Sequence, residues 1–354
     1  MDKEKQKKIF KKIYITFTIV FVLGLTVIVF YPKYKAQREE NQGTSFVGTG
    51  VKSPYHGFML LTLKQADDKR AVPNVAVLNL DKSNIRFFKN EGSVNITPDG
   101  LGSKFVGVVS SLPANSVGTK DQDTFQLYMV DIKNNFARKQ LTTSGTFFKR
   151  NPKLSPDGEE IAFMAREKDD EKKASRNIDD WNIYVTDLNG NEKLIGVGVY
   201  PQWSPDNKGI LAMKSDGIYL YDLEKGASQR VIKADGERTL ADNMTVSLDG
   251  SLLAWSMPDK SEISLMKISS WAPFEENEYK TIGDVKSFYP VFSPDMQDIA
   301  AIVVDKKDNR YGNLRVSIYN IEKSVWNESI DLSKYSASSI SLTVWGALND
   351  SINI

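Results

Sequence analysis

The feature that most constrains this chain is a twelve-residue segment that recurs along it at a spacing of roughly fifty residues, the mark of a repeat architecture. Pro152-Lys-Leu-Ser-Pro-Asp-Gly-Glu-Glu-Ile-Ala-Phe163, Pro201-Gln-Trp-Ser-Pro-Asp-Asn-Lys-Gly-Ile-Leu-Ala212 and Pro290-Val-Phe-Ser-Pro-Asp-Met-Gln-Asp-Ile-Ala-Ala301 superpose without a gap. Looser copies are Met244-Thr-Val-Ser-Leu-Asp-Gly-Ser-Leu-Leu-Ala-Trp255 and Thr343-Val-Trp-Gly-Ala-Leu-Asn-Asp-Ser-Ile-Asn-Ile354. A sixth, with an insertion, starts at Val94-Asn-Ile-Thr-Pro-Asp-Gly100.

Each copy has a mechanical reading. Ile96, Leu154, Trp203, Val246, Phe292 and Trp345 occupy one equivalent bulky position, suited to packing between neighbouring sheets. Pro-Asp-Gly or Pro-Asp-Asn then presets a tight turn: Pro fixes φ, and Gly or Asn tolerates φ > 0. Ile161, Ile210, Leu253, Ile299 and Ile352 follow at a constant offset and open the next strand. Further on, Tyr128-Met-Val-Asp131, Tyr184-Val-Thr-Asp187 and Tyr219-Leu-Tyr-Asp222 match one another, with Ala76-Val-Leu-Asn79 and Ser317-Ile-Tyr-Asn320 as looser relatives. The terminal Asp or Asn can accept nearby backbone N–H groups and start a second turn. Lys267 departs from this rule.

Four strands per repeat, arranged around a ring, is the arithmetic of a β-propeller. The chain is expected to be all-β, with six blades over residues 56–354 and seven as the runner-up. Its last segment, from Trp345, supplies an innermost strand, while Phe58–Leu63 and Val75–Leu78 read as later strands of a blade lacking its first. Pairing the two ends in one blade would close the ring without an open sheet edge; which end provides the second strand stays open. The Ser-Pro-Asp-Gly turn before an Ile-Ala-Phe strand resembles the TolB-like (WD40-like) propeller repeat family, over roughly residues 55–354. The resemblance implies a propeller fold, while TolB's additional N-terminal α/β domain has no counterpart among the motifs found.

Ahead of the repeats, Ile13 to Tyr31 is an uncharged run of nineteen residues. At about 1.5 Å per residue, a helix of this length crosses a hydrocarbon core of about 30 Å. A single transmembrane helix over 13–31 is therefore expected, after a basic cytoplasmic tail (1–12) and before a polar linker (32–55). The following Pro32-Lys33-Tyr34-Lys35 fits poorly with a signal-peptide cleavage site. Six lysines precede the run and only Lys33, Lys35 and Arg38 follow closely, which places the propeller outside the cytoplasm by the positive-inside bias.

Residues 1–40 hold nine Lys or Arg against four acids, so the remaining 314 residues sum to −4 within a whole-chain charge of +1. A mildly acidic body argues against nucleic acid, which demands clustered Lys and Arg. With no cysteine in the chain, disulfides and thiolate chemistry are excluded. His56 is the sole histidine, so neither a Ser-His-Asp triad nor a multi-histidine zinc site is expected, and no Gly-x-Ser-x-Gly elbow occurs. Asp187-Leu-Asn-Gly-Asn-Glu192 and the pairs Asp179-Asp180 and Glu275-Glu276 are read as turn and loop residues, calcium being left open. No cofactor is expected.

These exclusions favour a non-catalytic, membrane-anchored scaffold binding a protein partner in the cell envelope. A glycan or peptidoglycan module stands second, with Trp181 and Trp271 as candidate stacking residues and Trp326 also near a loop, and an enzyme of unrecognised type third. The connections between second and third strands are long at Lys64–Asn74, Ser110–Thr124, Arg166–Trp181 and Asp305–Asn313, and such loops are often functional. Asp121, Asp123, Arg166, Asp169, Asp170, Trp181, Asp308, Arg310 and Tyr311 are the candidate partner contacts within them.

Overall fold

In a computed structural model of the chain, the residues described are 45–46, 55–63, 74–81, 84–88, 99–101, 104–110, 125–131, 137–143, 149–165, 178–234, 243–257, 262–274, 279–282, 286–304, 314–332 and 340–346. They form 25 strands, apart from one short 3-10 turn at Ile178–Asp180.

Blade 2 comprises β5 (Asp99–Leu101), β6 (Lys104–Ser110), β7 (Phe125–Asp131) and β8 (Ala137–Gln140). Blade 3 comprises β9 (Arg150–Leu154), β10 (Glu160–Ala165), β11 (Asn182–Asp187) and β12 (Glu192–Val197). In blade 4 these are β13 (Val199–Trp203), β14 (Gly209–Lys214), β15 (Gly217–Asp222) and β16 (Ala227–Lys233). Blade 5 has β17 (Met244–Val246), β18 (Leu252–Met257), β19 (Glu262–Lys267) and β20 (Tyr279–Ile282). Blade 6 has β21 (Lys286–Phe292), β22 (Asp298–Val304), β23 (Leu314–Asn320) and β24 (Val325–Asp331). The remaining sheet joins β1 (Ser45–Phe46), β2 (Phe58–Leu63), β3 (Asn74–Asn79) and β4 (Asn84–Phe88) to β25 (Ile340–Gly346), in the order β1-β4-β3-β2-β25. β5, β9, β13, β17, β21 and β25 touch one another in succession around the ring, with β25 reaching both β5 and β21.

The expected architecture needs three corrections. The six four-stranded blades expected are not what forms: among the described residues there are five four-stranded blades, and the two chain ends meet in a separate, five-stranded sheet. No helix among the described residues is long and apolar enough to cross a membrane, and residues 13–31, where one was expected, lie outside them. In blade 2, Pro98-Asp99-Gly100 does not make the turn. Asp99 and Gly100 lie within β5, and Leu101 pairs with Lys104, so the chain reverses after Leu101. The insertion noted in that copy shifts the hairpin, and strand pairing overrides the local turn signal.

The closing sheet settles which end supplies its second strand. β25 from the C-terminal end pairs antiparallel with β2 from the N-terminal end, Met59 opposite Trp345. The core runs between sheets: one cluster joins blades 2 to 5, another blades 5 and 6, and a third blade 6 with the closing sheet. The recurrent bulky residue does this packing where it is described. Trp203 is buried and donates Nε1–H to the Lys153 carbonyl of blade 3, at 2.9 Å, while Phe292 lies in the cluster between blades 5 and 6. Ile161, Ile210, Leu253 and Ile299, which open the second strands, are fully buried. Three inner strands bulge just before the first proline of the repeat, with Asn151, Tyr200 and Tyr289 at φ 47, 55 and 54°.

Candidate interaction faces

Strand alternation gives the ring two distinct faces. Turns between first and second strands, and between third and fourth, emerge on one face, here called the turn face. Connections between second and third strands, and between successive blades, emerge on the other, the loop face.

The turn face is built from four copies of one hydrogen-bonded device. The hydroxyls of Ser155, Ser204, Ser247 and Ser293 donate to Oδ1 of Asp157, Asp206, Asp249 and Asp295, at 2.5 to 2.7 Å. The four serine hydroxyl oxygens accept the amides of Glu160, Gly209, Leu252 and Asp298 at 2.8 to 2.9 Å. Each carboxylate also caps the amide two residues on: Glu159, Lys208, Ser251 and Gln297. The turn thus depends on the serine as well as on the Pro and Gly expected to set it, and the recurrence of Ser two residues before each Asp is the signal of that role in the sequence. Blade 5 shows the serine–aspartate pair to be sufficient, since Leu248 stands in for proline there. The residue after the Asp adopts positive φ in all four turns: Gly158 at 76°, Asn207 at 60°, Gly250 at 72° and Met296 at 61°.

The second set of turns follows the expected chemistry. Asp187 accepts the amides of Asn189 and Asn191 and the Asn191 side chain, and these bonds hold its carboxyl below its ordinary pKa. Asp222 accepts the amides of Glu224 and Lys225, and Asn320 that of Lys323. Adjacent turns also interlock. A Cβ at Gly250 would lie 2.3 Å from Pro205 Cγ of blade 4, and Trp271 donates its indole N–H to the Gly250 carbonyl.

The chain enters the closing sheet on this same face. Trp345 Nε1 donates to the His56 carbonyl at 3.1 Å, and its ring meets Tyr55 edge-on. The Tyr55 hydroxyl accepts from Asn327 on β24, and His56 Nδ1 lies 2.6 Å from the Asp81 carboxylate. The only histidine thus belongs to a clasp over the last strand.

On the loop face, blade 4 turns through only Ser215 and Asp216. Asp179, at the end of the connection from blade 3, accepts the Ser215 amide at 2.9 Å and the Ser215 hydroxyl. Asp216 in turn accepts Tyr219 and Arg230 at 2.7 and 3.0 Å. Lys214 Nζ sits 3.9 Å from the centroid of the Tyr219 ring, a cation–π contact.

Of the candidate partner contacts, Asp121, Asp123, Arg166, Asp169, Asp170, Asp308, Arg310 and Tyr311 lie outside the described residues. Trp181 is described, and it is not the exposed side chain expected. It is 8% exposed within the main core cluster, with the Arg150 guanidinium 5.4 Å from its ring. Trp271 and Trp326 are half-buried. Glu275 and Glu276 lie outside the described residues, and among those described no group of acidic or histidine side chains is arranged to hold a metal ion.

No protein-family model matches the chain, and no curated protein matches it in sequence. Solved structures do match in fold, and these are TolB-like propellers among others. TolB from Acinetobacter baumannii aligns with a TM-score of 0.58 at 17% identity, over 84% of this chain and 69% of that one. A chain of a nidogen/laminin complex gives 0.55 at 12% identity, over 81% and 98%. An oligogalacturonate lyase in complex with manganese gives 0.51 at 10% identity, over 81% and 85%. At such identities the likeness is one of fold.

Proposed function

We propose that this TolB-like propeller is a non-catalytic scaffold that binds a protein partner, held at the outer side of a membrane by its apolar residues 13–31. The observation that carries the partner-binding part is the clamp of Asp179 on Ser215. It fixes one end of the long connection from blade 3 onto the shortest turn of the neighbouring blade. The described end of that connection, Ile178–Asp180, is thereby held before any partner arrives, which is what preorganisation contributes to affinity. Propeller neighbours divide between binding proteins and enzymes, so fold alone does not choose. The choice rests on how the aspartates described above are used: Asp157, Asp179, Asp187, Asp206, Asp222, Asp249 and Asp295 hold turns. The test exploits a chain without cysteine. Single cysteines at Asp180 on the loop face and Lys225 on the turn face, carrying a photocrosslinker in native membranes, should trap one discrete protein from the Asp180 site and none from Lys225. Equal, diffuse adducts from both sites, or turnover of a glycan by the purified chain, would overturn the reading.

A further inference from the structure

The turn between β11 and β12 carries the chain's single Asn-Gly step, Asn189-Gly190; every other asparagine precedes a residue with a side chain. Asn189 is exposed at the tip of that turn. Gly190 has no side chain to keep a neighbouring group away from its backbone nitrogen. The pair is held from two directions. Within the turn, the Asp187 carboxylate accepts the Asn189 and Asn191 amides and the Asn191 side chain, and the Asp187 carbonyl accepts the Gly190 amide at 3.1 Å. From blade 2, the Leu141 carbonyl lies so close that a Cβ on Gly190, at φ 88°, would stand 2.3 Å from its oxygen. Lys139 Nζ adds a bond to the Leu188 carbonyl at 3.5 Å.

We infer that Asn189 is a covalent modification site, converted through a succinimide to aspartate and isoaspartate at a rate set by the opening of this turn. In the first step the Gly190 amide nitrogen loses its proton and bonds to Cγ of Asn189, while the side-chain nitrogen takes up a proton and leaves as ammonia. Water then opens the five-membered ring at one of its two carbonyls, giving aspartate or isoaspartate. One asparagine and one water are consumed, one acid and one ammonia formed. While the turn is closed, the Gly190 N–H is committed to the Asp187 carbonyl, so attack waits on local opening. A short exposed turn opens at lower free energy than the strands it joins. The related Asp-Gly steps are tied down: the carboxylates of Asp157, Asp216 and Asp249 accept Ser155, Tyr219 and Ser247. The two products differ in their effect on the fold. Aspartate adds only a charge at the exposed tip. Isoaspartate routes the backbone through the side chain and lengthens it by one carbon, just where Gly190 has no room to shift against Leu141. Asn191 is carried off the Asp187 carboxylate and the turn peels from blade 2, while the Asp179–Ser215 clamp on the loop face is untouched.

The full chain, folded at neutral pH, would be aged beside the same chain unfolded in guanidinium, with peptides mapped by mass spectrometry and isoaspartate detected by its methyltransferase. Asn189 should convert in the folded chain ahead of every other asparagine, and more slowly than in the unfolded chain. Asp187→Ala removes the charged acceptor of three bonds and should speed conversion in the folded chain by about tenfold or more, with an unchanged circular dichroism spectrum. Asn191→Ala removes one of those bonds and should give a smaller acceleration. Hydrogen exchange of the separated isoaspartyl form should speed at 188–191 and 139–142 and stay unchanged in blade 4. Asn189→Asp, which has the charge without the longer backbone, should exchange like wild type. Asparagine persisting at 189 in the folded chain while the unfolded chain converts overturns the site. Equal rates in wild type, D187A and N191A overturn control by turn opening, and an isoaspartyl form that exchanges like wild type overturns the effect on blade 2.

Discussion

Blade 4 and the closing sheet place a tryptophan at the same point of the repeat, yet they assemble in opposite ways. Blade 4 is contiguous from Val199 to Lys233, and each of its strands pairs with its sequence neighbour. The closing sheet brings Trp345 against Met59 and ties it to the His56 carbonyl, 289 residues away. Local hairpins close short loops at small entropic cost, whereas this pairing must close almost the whole chain. The difference teaches that one repeated packing motif can be a locally formed unit in one place and a latch in another.

The sharpest way to break this comparison is to truncate both tryptophans. Trp345→Ala and Trp203→Ala each remove a buried indole and its hydrogen bond, and each should cost about 3–5 kcal/mol. They should differ in what opens. Native-state hydrogen exchange in W345A should speed selectively in β25 and β2, as the latch frays, while in W203A protection should fall across blades 3 and 4 together. Matching exchange patterns in the two variants would mean that the closing sheet is no latch.

The turn serine sharpens the contrast on a smaller scale. Ser204→Ala leaves the Gly209 amide without its partner in a buried site and should cost about 1–3 kcal/mol. In the closing sheet the equivalent residue is Gly346, where a Cβ would lie 2.5 Å from the Phe58 ring. Gly346→Ser should therefore lower Tm rather than restore the device. A rise in Tm would show that the Phe58 ring yields to the added side chain.

Two further blades differ by charge at one register pair. Glu160 faces Asp187 in blade 3, whereas Asp298 faces Asn320 in blade 6 and accepts its amide at 2.9 Å. Burial first, then Asp157 and Asp187, push the Glu160 carboxyl above its ordinary pKa. A raised carboxyl favours the folded state while protonated, so its contribution is present below the unfolded pKa and is lost as pH rises through the carboxylate range. Glu160→Gln should thus raise Tm at neutral pH by a small amount that vanishes in acid. Asn320→Asp should do the reverse, lowering Tm at neutral pH and recovering as pH falls. Parallel Tm–pH curves for wild type and E160Q would refute the repulsion.

The smallest expected effect lies in one turn of blade 6. Met296 holds φ 61° where blades 3 and 5 have glycine. Met296→Gly should stabilise by about 1 kcal/mol or less, the left-handed strain offset by glycine's greater freedom in the unfolded chain. Thermal unfolding of M296G beside Gly158→Met should show shifts of opposite sign.

What the sequence determined by itself is everything whose cause lies within a few residues. The Pro-Asp turns at 156–157, 205–206 and 294–295, the Asp187 and Asp222 caps and the buried Ile161, Ile210 and Ile299 were legible because donor and acceptor, or strand and turn, sit side by side in the chain, while the serine's share in those turns was not read. Even there, Pro98-Asp99-Gly100 misled, because pairing with β6 outweighed the turn signal. Only the tertiary structure decided the rest. Trp181 looked like a loop residue and is core, buried in the cluster that joins blades 2 to 5 with the Arg150 guanidinium over its ring. β2 rather than more C-terminal chain pairs with β25, and a fifth strand joins that sheet. Asp179 holds a turn of the next blade, and Pro205 fits against Gly250. In each case the partner stands tens to hundreds of residues away, and no local propensity encodes which distant surface will arrive.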